Sequence, residues 1–368
     1  LPFTPASIDR KEDVFTILYT SGTTGKPKGA MLTHANVAHT GTISAEAMQC
    51  TPDDVFLVAV PVFHVFGMVP SIATAFSVGG KMVLMDTYKA VEALQLIQDE
   101  KISVKHGVPS MFILELNHPD FHKFNLSSLR TGIIAAAPCP IEIVRRIRTD
   151  MGCNICVSYG LTETSATMVI TSFDDDDITR TETVGRALPG AAVKIVNKNR
   201  ETLPYGEIGE IACKSFGVMK GYYNMPEQTK EAFDEDGWFY TGDLGTLDEK
   251  GYVRIVGRAK EMIIRGGYNI YPREIEEVIF TFPGVMEAAV VGLPDSVLGE
   301  ISCAAIRVKP GETVDLDQLK KFLQEKIADY KVPDKYIILD EFPLTASGKL
   351  KKMELQEQLK IKLGDELR

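Results

Sequence analysis

The stretch YTSGTTGKPKG, residues 19–29, says most about the fold and chemistry of this chain. It contains three glycines, four serine or threonine residues and two lysines, between an apolar run at 14–18 and a helix-like segment at 33–48. Glycine lets backbone N–H groups approach an anion, hydroxyls donate hydrogen bonds and lysine adds positive charge, so the loop suits a triphosphate. The Walker pattern is absent, because Pro27 follows Lys26. On the loop alone, a flexible linker is an equally good interpretation.

Five further motifs follow this loop and decide between the two interpretations. They are PVFHVFG at 61–67, YGLTE at 159–163, YTGDLG at 240–245, GRAKEMIIRGGYNIYPREIE at 257–276 and PLTASGKL at 343–350. In these motifs and their order the chain resembles the adenylate-forming (AMP-binding) superfamily, and within it the fatty acyl-CoA synthetases, or acyl-CoA ligases. The resemblance covers nearly the whole chain but lacks the long N-terminal segment that precedes the phosphate loop in that family.

Composition excludes several other classes of protein. A net charge of −10 and an isoelectric point near 5.3 argue against non-specific nucleic-acid binding. No apolar run approaches the roughly 18 residues of a spanning helix, and the first residues lack a signal-peptide core, so we expect a cytoplasmic protein that is not transmembrane. The six cysteines are then reduced thiols. Cys153 and Cys156 form a lone CxxC, for which packing is a better interpretation than zinc or redox chemistry.

The first half of the chain alternates short apolar runs with helical patterns. Candidate strands lie at 55–60, 81–85, 102–105, 132–136 and 155–158. A helix is predicted at 141–151, where Pro140 favours its start and Gly152 its end. Continuous apolar strands that alternate with helices are typical of parallel sheets covered on both faces. The predicted fold class is therefore α/β, with a layered, mostly parallel sheet core at residues 1–178.

The second half has a different texture, which begins after four aspartates at 174–177. A solvated turn is a better interpretation of these aspartates than a calcium loop, because they lack its alternation. Short β-type runs at 184–256 predict a small β-rich subdomain at 179–256, which completes an AMP-binding core at 1–256.

A separate small α+β domain is predicted at 257–368, and the family resemblance implies that it is mobile. Its predicted elements are strands at 261–265, 285–291 and 301–308, a Gly266-Gly267 turn, a helix from Pro272 and a helix capped by Asp315.

The resemblance implies an ATP site that begins with the phosphate loop, residues 20–28. Hydroxyl, glycine and lysine groups of the loop would bind the β- and γ-phosphates, namely Thr20, Ser21, Gly22, Thr23, Thr24, Gly25 and Lys28. Tyr159 would stack on the adenine ring. The small residues Ala136, Ala137 and Pro138 would form the other wall of the adenine pocket.

The same resemblance assigns two catalytic residues in YGLTE and a ribose site. Thr162 would bond the α-phosphate and Glu163 would bind Mg²⁺, a cation that prefers oxygen ligands. In isolation, Glu163 equally suits the first turn of a helix, and Asp243 suits a turn in which it bonds its own backbone. By resemblance, Asp243 and Arg258 would together hold the ribose hydroxyls.

A substrate pocket of neutral or apolar residues is also implied. Its lining would come from His64, Val65, Met68, Gly107, Ala135 and Gly160. A histidine among apolar neighbours is more often a packed core residue than a catalyst. The resemblance implies that His64 controls access of the carboxylate to the pocket and takes no part in proton transfer. The segment between Pro61 and Pro70 contains no acid, which argues against an amino-acid substrate.

Three assignments concern the C-terminal domain. Lys349 would be catalytic, neutralising charge on the carboxylate and the α-phosphate during adenylation, for which a compact charge on a flexible stem is suited. Lys260 would be the hinge about which the domain swings. Gly266 and Gly267 would line the channel for the CoA pantetheine, where side chains would obstruct.

We therefore expect an ATP- and Mg²⁺-dependent acyl-CoA synthetase that forms acyl-AMP from a fatty or similar apolar carboxylic acid and uses CoA as cosubstrate. The alternatives are an aryl-CoA ligase, a carrier-protein ligase, a luciferase-like enzyme, or a nucleotide-binding fragment without full activity. Because the usual N-terminal segment is missing, the sheet around residues 14–19 is expected to expose an edge or apolar face. That face would favour self-association or a separate N-terminal polypeptide as partner.

Overall fold

The computed structural model describes residues 6–20, 27–137, 141–345 and 350–364. In chain order the strands are β1 (Val14–Thr20), β2 (Lys28–Thr33), β3 (Val55–Val58), β4 (Lys81–Leu84), β5 (Val104–Lys105), β6 (Thr131–Ile134), β7 (Asn154–Tyr159), β8 (Val169–Ile170), β9 (Arg186–Ala187), β10 (Ala192–Val196), β11 (Gly209–Lys214), β12 (Gly221–Tyr222), β13 (Phe239–Leu247), β14 (Val253–Arg258), β15 (Ile263–Arg265), β16 (Tyr268–Ile270), β17 (Val285–Asp295), β18 (Gly299–Val308) and β19 (Lys335–Ile338). The α-helices are α1 (His34–Ala47), α2 (Thr74–Val78), α3 (Ala90–Glu100), α4 (Pro109–Leu116), α5 (Ile141–Asp150), α6 (Asp177–Glu182), α7 (Pro226–Ala232), α8 (Pro272–Phe280), α9 (Leu316–Lys326) and α10 (Lys352–Leu363). A π-helix spans Gly67–Ala73, and 3₁₀ helices span Phe121–Lys123, Thr162–Thr164, Ala259–Glu261 and Asp329–Lys331.

The chain divides into two compact units. The first comprises residues 1–139, 143–241 and 246–254, and the second comprises 140–142, 242–245 and 255–368. The predicted domain boundary at 256/257 stays a prediction.

A seven-stranded sheet is the centre of the first unit, in the order β4-β3-β5-β6-β7-β8-β9. Neighbours from β4 to β7 run parallel, and β7, β8 and β9 run antiparallel. Every residue of β5 and β6 is buried, as expected for strands covered on both faces. The α/β fold class is confirmed, and the five strands predicted in this region are present with ends that differ by one or two residues.

Helix α5 shows how the sequence builds this layer. Ile143 and Val144 lie four and three residues before Ile147, all three are buried on one face, and arginines occupy the two positions between Val144 and Ile147. Gly152 then adopts a left-handed φ of +65° after the helix.

A three-stranded sheet, β1-β2-β12, carries the phosphate loop. Strands β1 and β2 are antiparallel and pair Thr20 with Lys28, so residues 21–27 connect the two strands of a hairpin. Helix α1 follows directly and begins with a capping box. The Thr33 side chain accepts a hydrogen bond from Asn36 N, and Asn36 Oδ1 accepts one from Thr33 N. The helix predicted at 33–48 is confirmed, whereas β2 was not predicted from the sequence.

The β-rich region after α6 contains a four-stranded sheet, β10-β11-β13-β14. Asp176 of the acidic segment caps α6 by accepting from Thr179 N. The neighbouring Asp175 accepts hydrogen bonds from Ser172 N and from the hydroxyl of Tyr252. The aspartates therefore form a charged turn that also caps a helix.

The second unit is an α+β sandwich around a five-stranded sheet, in which β16-β15-β18-β17 are adjacent and β19 pairs with β18. Alternate residues of β17 and β18 face opposite sides. One side packs on α8 and α9 through Ile275, Ile279, Leu319 and Leu323. The other side packs on α10 through Leu355 and Leu359. The start of α8 at Pro272 and the capping of α9 by Asp315 agree with the sequence predictions.

Two further findings concern membrane-spanning helices and the cysteine thiols. Among the residues described, no helix has both the length and the apolar character needed to cross a membrane. Cys153 and Cys156 are buried in the core of the first unit at 1% and 0% exposure, and burial raises the pKa of both thiols.

Candidate functional site

The carboxyl ends of β5, β6 and β7 bring three predicted pocket residues to one edge of the main sheet. Gly107 N donates to Ile133 O at 3.0 Å, and Ala135 N donates to Gly107 O at 3.4 Å. Tyr159 is the last residue of β7, so Gly160 lies at the same edge. Open α/β sheets bind their ligands outside this edge, where loops from neighbouring strands meet.

The backbone at this edge is tightly constrained. A Cβ on Gly160 would lie 2.1 Å from the carbonyl oxygen of Ala166, so only glycine fits. Three residues other than glycine adopt left-handed φ angles close in sequence to Ala135 and to the YGLTE motif. They are Ala136 at 72°, Ser165 at 58° and Ala166 at 76°. Such strain is retained where the surrounding structure fixes it, and it concentrates at ligand sites.

The His64 segment follows β3 at the same sheet. His64 Nδ1 accepts a hydrogen bond from Phe66 N at 3.1 Å, and the His64 carbonyl accepts from the N–H groups of Gly67 and Met68. Val65 is buried at 3% exposure, whereas Met68 is partly exposed at the start of the π-helix. The histidine therefore caps the turn that leads into the π-helix.

Tyr222 contacts both Lys28 of the phosphate loop and Glu163 of the YGLTE motif. The Lys28 Nζ lies 4.9 Å from the centroid of the Tyr222 ring. The Tyr222 hydroxyl donates to Glu163 Oε1 at 2.9 Å. Burial and the neighbouring Glu163 raise the pKa of Tyr222, so it stays a hydrogen-bond donor. Sequence reasoning missed Tyr222, because its place beside Lys28 depends on the pairing of β12 with β2.

Some predicted residues lie outside the described part of the chain. These are Ser21, Gly22, Thr23, Thr24 and Gly25 of the phosphate loop, Pro138 of the adenine wall, and Lys349. Of the loop residues that are described, Thr20 donates its hydroxyl to the Lys28 carbonyl at 3.4 Å, which closes the base of the loop.

Glu163 is suited to the metal role that the sequence predicts. It is partly exposed in the 3₁₀ helix Thr162–Thr164, beside Thr162. In the part of the chain with described coordinates, no cluster of three or more His, Cys, Asp or Glu side chains could hold a metal ion. Mg²⁺ in nucleotide enzymes commonly takes only one or two carboxylates, with substrate phosphates as the other ligands, so a single glutamate fits.

In the second unit, the two predicted ribose residues are adjacent. Arg258 Nε lies 3.1 Å from Asp243 Oδ1. Asp243 is 5% exposed, while the Arg258 side chain is about half exposed. The pair presents a carboxylate and a guanidinium together. The carboxylate can accept hydrogen bonds from the hydroxyls of a diol, and the guanidinium can donate hydrogen bonds to them.

The hinge and channel residues also lie in this unit. Lys260 is exposed in the 3₁₀ helix Ala259–Glu261. Gly266 and Gly267 have φ values of 56° and 85° and form the turn between β15 and β16, where a side chain would be strained.

Two ion-pair sites, one partly exposed and one fully buried, were not predicted from the sequence. Lys352 of α10 pairs with Glu261 at 3.1 Å and with Glu276 at 3.0 Å, and these carboxylates raise its pKa against the opposing effect of desolvation. In the first unit, Lys105 Nζ lies 3.0 Å from Glu115 Oε2, and both side chains have no exposure. No apolar or polar pattern in the sequence distinguished these lysines from surface ones.

Comparison with protein families gives two matches. A model described as AMP-binding enzyme matches residues 2–223. A model described as AMP-binding enzyme C-terminal domain matches residues 274–349.

Individual proteins agree with these matches. A protein named putative acyl-CoA synthetase YngI, from Bacillus subtilis, is 46% identical over 350 residues, which is 95% of this chain and 64% of that protein. The human protein named medium-chain acyl-CoA ligase ACSF2, mitochondrial, is 37% identical over 96% of this chain and 58% of its own length. The ATP-bound crystal structure of MatB from Rhodopseudomonas palustris superposes with a TM-score of 0.89 at 36% identity, over 97% of this chain and 70% of that one. The chain thus spans about three fifths of the curated relatives it matches.

Proposed function

The chain belongs to the AMP-binding enzyme family, and on this premise we propose that it is an ATP-dependent acyl-CoA synthetase for a medium- or long-chain fatty acid or a similar apolar carboxylate. The observation that carries the proposal is the contact of Lys28 and Glu163 with one side chain, Tyr222. A lysine of the phosphate loop and the acid of YGLTE are thereby held near each other. A triphosphate with its magnesium ion requires this combination of charges.

The proposed reaction has two steps. A carboxylate oxygen of the acid attacks the α-phosphorus of ATP, which breaks the α–β phosphoanhydride bond and gives acyl-AMP and pyrophosphate. The CoA thiolate then attacks the acyl carbon and AMP leaves. Positioning and charge neutralisation supply most of the catalysis in such transfers. Bound Mg²⁺ would supply positive charge at the phosphates, and CoA would enter as the second substrate.

Residue roles follow the family assignment and are part of the proposal. Lys28 and Thr162 would bind phosphate oxygens, and Glu163 would hold the magnesium ion. The Asp243–Arg258 pair would bind the ribose hydroxyls, which is supported by their 3.1 Å separation. Tyr159, Ala136 and Ala137 would enclose the adenine ring. Lys349 would act in the adenylation step, Lys260 as the hinge, and the Gly266-Gly267 turn in the CoA channel.

The acyl pocket is proposed at the carboxyl edge of β5–β7 and the His64 segment. The residues assigned to it are neutral or apolar, which favours an apolar acyl group over an amino acid. The human relative is named a medium-chain acyl-CoA ligase, which supports the same class for this chain. Burial of each CH₂ contributes about 0.8 kcal/mol, so kcat/KM should rise about fourfold per CH₂ until the pocket is full.

A CoA-dependent AMP-release assay over straight-chain acids from acetate to palmitate, with benzoate added, tests the proposal. We expect a rise with acyl length followed by a plateau or fall. A preference for acetate would overturn the apolar pocket, and a preference for benzoate would favour an aryl-CoA ligase. ATP binding without AMP release from any acid would overturn the synthetase and leave a nucleotide-binding protein.

Two variants separate the site from general damage. Lys28→Ala should lower the adenylation rate about a hundredfold, because it removes a charged donor from the phosphates. Lys220→Ala is the matched control, since Lys220 is a surface lysine of the same unit that pairs with Glu12 at 2.8 Å. Equal losses in the two variants would contradict the assignment of Lys28.

A further inference from the structure

Residues 219–223, the bridging segment, connect the YGLTE motif to the strand that begins with Lys28. Met219 N donates to the Glu163 carbonyl oxygen at 2.8 Å. Strand β12, in the same segment, pairs antiparallel with β2, whose first residue is Lys28. Backbone hydrogen bonds therefore fix the bridging segment against both motifs, independently of its side chains.

Tyr222 is the residue of the bridging segment whose side chain contacts both motifs. It is buried, with 8% exposure. Its backbone N–H donates to Thr229 Oγ1 at 2.9 Å, and the Thr229 hydroxyl donates to Met225 O at 2.8 Å, which anchors the tyrosine to the start of α7. A buried aromatic ring in a close-packed interior has little freedom to change its position. The groups that the Tyr222 side chain contacts are therefore held against a fixed point.

The Tyr222 hydroxyl orients the carboxylate of Glu163. It donates to Oε1 at 2.9 Å, so Oε2 is the oxygen that can bind a metal ion while this hydrogen bond stays in place. A glutamate side chain has several rotatable bonds, and ordering it when a ligand binds costs conformational entropy. Because hydrogen bonds to metal-binding groups set their orientation, losing such a bond commonly weakens metal binding by about 10–100-fold.

The ring of the same tyrosine holds the lysine of the phosphate loop. Lys28 Nζ lies 4.9 Å from the ring centroid, within the range of a cation–π contact. The ammonium contacts the ring and the carboxylate of Glu163 receives the hydroxyl, so one neutral side chain holds both charges. This arrangement avoids a direct ion pair, which would have to be broken before either group could bind a magnesium–triphosphate complex.

We propose that Tyr222 is a positioning residue for the magnesium–nucleotide complex. Its hydroxyl fixes Glu163 so that Oε2 can bind the metal ion, and its ring keeps Lys28 beside the carboxylate for the phosphates. The inference rests on the proposed function, since it takes the metal role of Glu163 and the phosphate role of Lys28 from there. Tyr222 affects the reaction only through these two groups.

Calorimetric titration with ATP in the absence of an acid, once with excess Mg²⁺ and once with EDTA, tests the role of the hydroxyl. Tyr222→Phe keeps the ring against Lys28 and removes the hydrogen bond to Glu163. The Kd of Mg-ATP should rise about tenfold, and the Kd of metal-free ATP should stay within about twofold of wild type. Tyr252→Phe is the matched control, because it removes a tyrosine–carboxylate hydrogen bond of 2.7 Å to Asp175 elsewhere in the first unit. It should leave both Kd values unchanged.

A double variant shows whether Tyr222 acts through Glu163. Glu163→Gln alone should weaken Mg-ATP binding by about tenfold or more, because it removes the carboxylate ligand. Adding Tyr222→Phe should change that Kd by less than about twofold, because no carboxylate is left to be positioned. Losses that multiply would overturn the route through Glu163. An unchanged or lower Kd of Mg-ATP in Tyr222→Phe, or an equal rise in the Kd of metal-free ATP, would also overturn the proposal.

Kinetics of the two half-reactions separate this inference from the proposed function. In Tyr222→Phe, the KM of Mg-ATP for acyl-AMP formation from octanoate should rise about tenfold, while thioester formation from supplied acyl-AMP, which uses no ATP, should be unchanged. If wild type forms acyl-AMP and Tyr222→Phe binds Mg-ATP as wild type does, the inference fails and the synthetase stands. If wild type forms no acyl-AMP from any acid but the expected Kd values are found, the synthetase fails and the positioning role of Tyr222 stands.

Discussion

Replacing Lys105 by methionine should destabilise the first unit by about 3–5 kcal/mol, because it leaves a buried carboxylate without its cation. The Lys105–Glu115 pair has no exposed surface and a 3.0 Å separation. At an effective dielectric constant of about 20, such a pair attracts by about 5–6 kcal/mol. Tyr88 donates to Glu115 Oε1 at 2.9 Å, and the Phe112 ring centroid lies 3.6 Å from Lys105 Nζ. The tyrosine hydrogen bond remains after the change but cannot neutralise the carboxylate, and the contact with the Phe112 ring is lost with the ammonium.

A double-mutant cycle measures the interaction itself. Glu115→Leu alone should cost a similar amount, since it strands the buried ammonium. The double variant, Lys105→Met with Glu115→Leu, should be within about 1 kcal/mol of wild type or more stable, because apolar side chains of similar volume need no desolvation of charge. Two single losses of at least about 3 kcal/mol against a double loss of at most about 1 kcal/mol give a coupling energy of at least about 5 kcal/mol.

Urea unfolding followed by the fluorescence of Trp238, the single tryptophan, gives the free energies. The exposed pair Lys81–Glu100 is the matched control, with side chains 58% and 41% exposed, and Lys81→Met should cost less than about 1 kcal/mol. A loss below 1 kcal/mol for Lys105→Met, together with a coupling energy near zero, would refute the reasoning and mean that water reaches the pair.

Three more predictions follow from other parts of the molecule. Burial holds the pKa of His106 at about 3, against 6.5 in the unfolded chain. Between pH 6.5 and pH 5 the free energy of unfolding of the wild type should therefore fall by about 1.7 kcal/mol relative to His106→Gln in urea titrations, and parallel curves would contradict this. Lys349→Ala should impair adenylation but not thioester formation from supplied acyl-AMP, with Lys351→Ala as an unaffected control, whereas equal loss of both steps would show a structural role. Phe15 and Tyr19, 49% and 65% exposed on edge strand β1, should cause concentration-dependent light scattering and binding of hydrophobic dye that Phe15→Ser reduces. A monodisperse monomer that binds no dye would exclude this.

The parts of the fold that the sequence predicted share one physical cause. The middle of strands such as β6 and β7 is buried on both faces, so the runs 132–134 and 155–157 carry no charged or amide side chain and are visible in the sequence. Strand β2 was missed because its pairing with β1 and β12 depends on residues up to 192 positions away, and its sequence continues the glycine-rich loop without a break.

Sequence motifs could propose residues for the candidate site, but they could not identify residues that enter it only through tertiary contacts. The pairing of Asp243 with Arg258 agrees with their shared assignment. Tyr222, Lys105 and His106 were not singled out, because their roles come from neighbours that only the folded chain supplies. A lysine at the end of an apolar run, such as Lys105, is usually expected to reach solvent. Its burial depends on Glu115, the second-to-last residue of helix α4.

The buried cysteine thiols allow the unfolding of each compact unit to be measured by chemical labelling. Burial raises the pKa of Cys153, Cys213 and Cys303 to about 12, so at neutral pH only about one in 10⁵ of each would be thiolate while the fold is closed. Cys153 and Cys213 lie in the first unit and Cys303 in the second. An alkylating reagent would therefore label each unit only when that unit unfolds. Mass spectrometry of the labelled peptides would yield separate opening equilibria for the two units from the unmodified sequence.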